Sequence, residues 1–165
     1  MKQEKPVYSS THERLLGEGF SPEQPLMVRS KISTTEKGKR YTLLTKGTEK
    51  SVVYAVDGNI VKEGQRCDKL VLVKRSDSDG NPGRWTEAFI ELKGVDVVHA
   101  IGQLRETLRK PIFKHPSNDD VRARIVGQSF PSSKSNPVME KAKQEFRKKY
   151  NCDLRSMKSG QDDKL

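Results

Sequence analysis

Two short apolar runs on either side of a polar loop set most of what this chain can fold into. The first is Asp68-Lys69-Leu70-Val71-Leu72-Val73-Lys74, and the second runs from Trp85 to Lys93. Between them lies Ser76-Asp77-Ser78-Asp79-Gly80-Asn81-Pro82-Gly83. Each run has the length and β-branched content of a strand, and the loop is rich enough in turn-forming residues to reverse the chain. Gly94 breaks the second run. Residues 95–109 follow, with Val97, Ile101, Leu104 and Leu108 recurring at three- and four-residue steps. That spacing predicts an amphipathic helix, which Pro111 ends.

The flanking sequence extends this pattern. Residues 41–44 and 51–56 are β-rich, and Asp57-Gly58-Asn59 is a hairpin-turn signal. Residues 121–130 predict another strand. Val138, Ala142 and Phe146 form an apolar stripe on a last helix that ends near Tyr150-Asn151. Near the start, residues 11–17 predict a short helix capped by Thr11, and residues 21–25 a loop. A polar lead-in up to about residue 10 and a tail over 159–165 are expected to be loose. No internal repeat is visible. Strands, a helix, a strand and a helix imply one α/β domain over 1–165, its core about 40–150, with a mixed β-sheet flanked by helices.

Charge narrows the partner. The 165 residues carry 32 Lys and Arg against 22 Asp and Glu, a formal net charge of +10. Such an excess makes a polyanion the default partner, because basic side chains that neutralise phosphates release condensed counterions. The basic residues concentrate in Lys37-Gly38-Lys39-Arg40, in residues 105–110 and in residues 141–149. Cys67 and Cys152 are too few for a disulfide framework and too far apart for a zinc site. No apolar run is long enough to span a membrane, and no apolar stretch follows Met1 as a secretory signal would require, so the cytoplasm is the expected compartment. The three histidines are dispersed. Asp77 opens no calcium loop, since the sixth and twelfth positions are Pro82 and Ala88. No glycine-rich phosphate loop precedes a helix. Trp85 is expected to pack in the core.

The chemistry concentrates in Phe89-Ile90-Glu91-Leu92-Lys93-Gly94. Side chains two apart on a strand share a face, so Glu91 and Lys93 point one way, and Ile90 and Leu92 point into the core. A carboxylate and an ammonium at the end of an apolar strand are costly unless paired or used. Asp68 begins the preceding strand. If the two strands form a hairpin, the start of one lies beside the end of the other, and Asp68 and Glu91 fall at the same edge. Two carboxylates and a lysine there would suit a hard cation and a proton carrier.

An acidic residue on one strand and an acidic-x-lysine triplet on the next resemble the signature of the PD-(D/E)xK nucleases, the restriction-endonuclease-like superfamily. The resemblance spans about residues 50–130. It implies a restriction-endonuclease-like mixed sheet and hydrolysis of phosphodiester bonds in nucleic acid, with DNA the expected substrate. It implies Mg²⁺, for which Mn²⁺ could substitute, held by Asp68, Glu91 and the main-chain carbonyl of Leu92. Lys93 would orient or deprotonate the attacking water. Gln103, on the following helix, matches a glutamine that some members aim at the site, although Thr107 stands where a tyrosine would follow. Cys67 replaces the proline of the motif. Glu13 and Glu63 compete for the role of an additional upstream acid. A homodimer fits an enzyme whose single site cuts one strand. The rival readings are a non-catalytic nucleic-acid-binding or assembly protein that retains the nuclease-like fold, and a basic interaction protein without that fold.

Overall fold

The computed structural model describes residues 7–75, 83–92, 96–128 and 136–165. Its elements, in chain order, begin with α1 (Thr11–Gly17), β1 (Gln24–Val28), β2 (Lys31–Glu36), β3 (Lys39–Leu44) and β4 (Lys50–Ala55). Then come β5 (Lys69–Arg75), β6 (Arg84–Glu91), α2 (Val97–Leu108), a single 3₁₀ turn (Pro111–Phe113) and β7 (Asn118–Gly127). The order ends with α3 (Pro137–Tyr150), β8 (Cys152–Lys158) and β9 (Asp162–Lys164). Six strands form one mixed sheet in the order β1-β4-β5-β6-β7-β8, and three form a second sheet in the order β2-β3-β9. β4, β5 and β6 are antiparallel neighbours, whereas β6, β7 and β8 run parallel. The protein is thus α/β with a mixed sheet.

The two central strands are buried on both faces, as their near-continuous apolar runs require. Alternation sends Leu70, Leu72, Trp85 and Phe89 to one face, where they pack against Leu15 of α1, Ile101 and Leu104 of α2, and Phe146 of α3. Val71, Val73, Ala88 and Ile90 go to the other face, against Ile32, Tyr41 and Leu43 of the small sheet. The described helices therefore cover only one face of the main sheet. The sequence reading put helices on both faces, and the second layer is instead a sheet. β3 contains the expected β-rich run 41–44, but β2, Lys-Ile-Ser-Thr-Thr-Glu, carries one large apolar residue, so its β-propensity rests on threonines and the pattern does not show it. The loop expected over 21–25 overlaps the start of β1, which holds Pro25. It is an edge strand, where a missing N–H is tolerated.

Local chemistry fixes the helix ends. The Ser10 hydroxyl, not Thr11, caps α1 by accepting from the Glu13 N–H at 3.1 Å; Thr11 lies one residue inside and is buried. Asp96 caps α2 by accepting from the His99 N–H at 3.1 Å. Asn151 closes α3 in the left-handed conformation, φ 48°, which asparagine tolerates better than most residues.

The expected loose tail is structured. β8 joins the main sheet parallel to β7, and β9 pairs parallel with β3. Arg124, on β7, is 1% exposed and donates to Asp163 of β9 at 2.9 Å; Tyr41 of β3 donates to the same carboxylate at 2.7 Å. A buried guanidinium needs such partners, and they tie the last strand into both sheets. The core consequently exceeds the expected limits of 40–150: Leu15, Ile32, Leu154 and Met157 belong to it. Among the described residues no helix is long and apolar enough to cross a membrane.

Candidate active site

β5 and β6 pair antiparallel with Lys69 opposite Ile90 and Leu70 opposite Phe89. Asp68 immediately precedes β5 and Glu91 ends β6, so both lie at the same end of the two central strands. Asp68 is tied to both chain neighbours of Glu91. Its N–H donates to the Ile90 carbonyl at 3.0 Å, and its Oδ2 accepts from the Leu92 N–H at 2.7 Å. Glu91 shares the helix-facing side of β6 with Phe89, by strand alternation. Both carboxylates are buried, at 2% and 0% exposure. Leu92 turns to the opposite core, as its position in the alternation requires.

The local fold explains why Asp68 stands where it does. The loop before β5 is held down by α2. Gln103 Oε1 accepts from the Arg66 N–H at 3.0 Å, and Thr107 Oγ1 accepts from the Cys67 N–H at 2.8 Å. Thr107 also donates to the Gln103 carbonyl at 2.8 Å, one helical turn back. Two successive amides ahead of Asp68 are thereby fixed to two side chains on one helix face. Gln103 acts here on the backbone that carries Asp68. Cys67, immediately before Asp68, is fully buried in the core. Burial above all pushes its thiol up, and Glu91 and Asp68 add to the effect, consistent with both carboxylates lying close by.

The remaining expected residues divide. Lys93 lies outside the described residues, as does most of the loop at 76–83. Lys69, the lysine beside Asp68, faces the small sheet and pairs with Glu23 and Glu36, so it belongs to the other layer. Glu13 is separated from the site. Its carboxylate accepts from the Ser9 N–H, and the charges that act on it are His12 and, more weakly, Lys74, at the far end of β5 from Asp68. Six residues of strand put about 20 Å between those ends. Glu63 is exposed on the loop between β4 and β5. Of the basic segments, Arg105 makes a two-pronged bridge to Glu145 that ties α2 to α3, at 2.7 and 2.8 Å. Arg147, Lys148 and Lys149 are exposed at the end of α3.

Two residues escaped the sequence reading. Thr107 was noticed only for not being tyrosine. Glu87 shares a face with Glu91 by alternation and is 3% exposed, in the middle of an apolar strand. The argument that singled out Glu91, a carboxylate on a buried strand, applies to it with equal force.

The donor set suits a hard cation. Two carboxylates and a main-chain carbonyl at one strand end are oxygen ligands, which Mg²⁺ prefers, and Mg²⁺ ordinarily keeps several waters. Among the described residues no group of three or more His, Cys, Asp and Glu is placed to hold a metal ion. Comparison with protein-family models, curated proteins and solved structures finds no match.

Proposed function

We propose that the protein is a metal-dependent nuclease of the restriction-endonuclease-like class, hydrolysing phosphodiester bonds in DNA. The observation that carries this is the pairing of Asp68 with Glu91: two buried carboxylates at neighbouring ends of adjacent antiparallel strands, joined through Leu92, with Lys93 next in the sequence. Asp68 and Glu91 would hold Mg²⁺ with the Leu92 carbonyl. When bound, the ion would polarise the phosphate and lower the pKa of water. Lys93 would hold the attacking water or take its proton, and its charge would steady the phosphate oxygens. Gln103 and Thr107 would keep Asp68 in place through the backbone they hold. The surface excess of positive charge would draw the strand in.

The burial of both carboxylates favours one rival, a binding or assembly protein that keeps the fold without the reaction. One assay separates the two. Supercoiled, linear and single-stranded DNA are incubated with the protein and Mg²⁺, Mn²⁺ or Ca²⁺. Cleavage is expected with Mg²⁺ or Mn²⁺ and poorly with Ca²⁺, whose looser coordination orients water less well. Lys93→Ala and Asp68→Asn should abolish it, with Lys93→Ala still binding DNA. Absence of metal-dependent cleavage by the wild type, or full cleavage by either variant, refutes the enzyme.

A further inference from the structure

A second site lies on the same face of β6, away from the paired carboxylates. Between β6, the 3₁₀ turn, β7 and the end of α3 there is a cavity of about 420 Å³. That volume falls in the range of small-molecule sites. Glu87 and Asn118 contribute to its wall. Glu87 lies four residues from Glu91, about 13 Å along the strand.

The polar atoms of this wall are unsatisfied acceptors. Glu87 Oε2 is buried and accepts no hydrogen bond. Asn118 Oδ1 is buried and likewise unpartnered, while its Nδ2 donates to Thr11 Oγ1 and to the Phe113 carbonyl, which fixes the amide's orientation. Buried acceptors left without donors are costly, and native proteins carry few of them. Burial pushes the Glu87 carboxyl well above the ordinary carboxylate range, with Arg14 only partly offsetting it. A pair of donors at Oε2 would bring it back down.

The rest of the lining narrows what supplies those donors. Phe89 and Phe113 form the apolar floor, buried at 0% and 1% exposure, with ring centroids 5.4 Å apart and edge to face. Lys114, Lys148 and Lys149 stand exposed around the cavity. Three ammonium groups would repel a plain amine, so the ligand's donor end must be neutral and its other end anionic. A flat ring, a neutral donor edge and a phosphate occur together in a guanine nucleotide, whose N1–H and N2 amine suit a carboxylate. We propose that this cavity binds guanine nucleotides, the guanine edge on Glu87 and Asn118 and the phosphate on Lys148 and Lys149. The inference does not rest on the hydrolytic reading. The same chemistry is offered by a free mononucleotide and by an unpaired guanine within a strand.

Calorimetric titration of the full chain in chelator distinguishes these sources. The probes are GMP, AMP, guanosine, and thymidine pentamers with and without a central guanine. GMP, or the guanine-bearing pentamer alone if the site is built for a strand, should bind at least tenfold more tightly than its AMP or all-thymidine counterpart. Glu87→Gln, which keeps the shape, should erase that preference. Lys148→Ala with Lys149→Ala, both on the surface, should weaken GMP and leave guanosine unchanged. Equal binding of guanine and non-guanine probes overturns the proposal. So does a guanine preference that survives Glu87→Gln, or no binding of any guanine probe at millimolar concentration.

Discussion

Replacing Glu87 with glutamine exchanges one oxygen for an NH₂ group on a buried side chain, and the result should be a more stable protein. In the unfolded chain this carboxyl titrates near its ordinary 4.5, whereas burial, opposed only in part by Arg14, holds it well above that in the fold. Above pH 4.5 the folded state therefore retains a proton that the unfolded state has released. Stability is complete below the unfolded pKa and is lost as pH rises toward the folded one, at about 1.4 kcal/mol per pH unit. The loss grows at that rate for as long as the folded carboxyl keeps its proton, and glutamine forfeits nothing. For a chain of this size each kcal/mol is roughly 2–4 °C in melting temperature. The measurement is the difference between wild-type and Glu87→Gln stability from urea melts between pH 4.5 and 8. The other groups around the cavity, His115, Lys114, Lys148, Lys149 and Tyr150, are common to both proteins and largely cancel in the difference. Parallel pH profiles would refute the reasoning, because they would mean that Glu87 reaches water or a partner in solution.

Thr107→Val strands the buried Cys67 N–H and should cost about 1–3 kcal/mol in a denaturant melt. If Thr107 positions Asp68, cleavage falls with it and Thr107→Ser restores both; a valine variant as stable as the wild type would remove Thr107 from that role. Asp163→Asn leaves buried Arg124 with only the partly exposed Asp153, 3.3 Å away, as countercharge and should cost up to about 3 kcal/mol. Burial raises the Asp163 carboxyl, but donation from Tyr41 and Arg124 outweighs it and holds the group below its ordinary 3.8. The wild type's advantage should accordingly be complete above pH 3.8 and shrink as pH falls through the lower folded value, a trend acid titration of both proteins would reveal.

The part of the fold that could be read from the sequence is the part whose burial is written as pattern. β5 and β6 are apolar on both faces, and α2 repeats at helical steps, so their type and order follow from hydrophobic periodicity alone. The antiparallel hairpin then brings Asp68 beside Glu91, which the sequence reading required only on condition. The second layer was hidden because its stabilising partners are remote and polar. Nothing local in Asp162-Asp163-Lys164 reads as a strand; it becomes one because Asp163 answers Arg124 and Tyr41. Gln103 was found for its position but not for its contact, since a helix periodicity gives a face and not the backbone amide that face meets. Glu87 was legible by the rule applied to Glu91, and it was passed over because no lysine followed two residues later.

The network around Arg124 also sets a timetable for assembly. Tyr41 and Asp163 meet across 122 residues of sequence, and closing so long a loop has an entropic cost that local contacts do not carry. During synthesis the helix-facing core can collapse once α3 has emerged, but β9 does not yet exist. Until residue 163 is made, Arg124 has no countercharge from that strand, Tyr41 has no acceptor there, and the β3 edge that β9 will pair with is bare. A half-made chain would thus carry a buried charge short of its partner beside an unpaired strand edge, the kind of feature that drives aggregation. Expression yield, more than the melting temperature of the finished protein, is where weakening of β9 should first be felt.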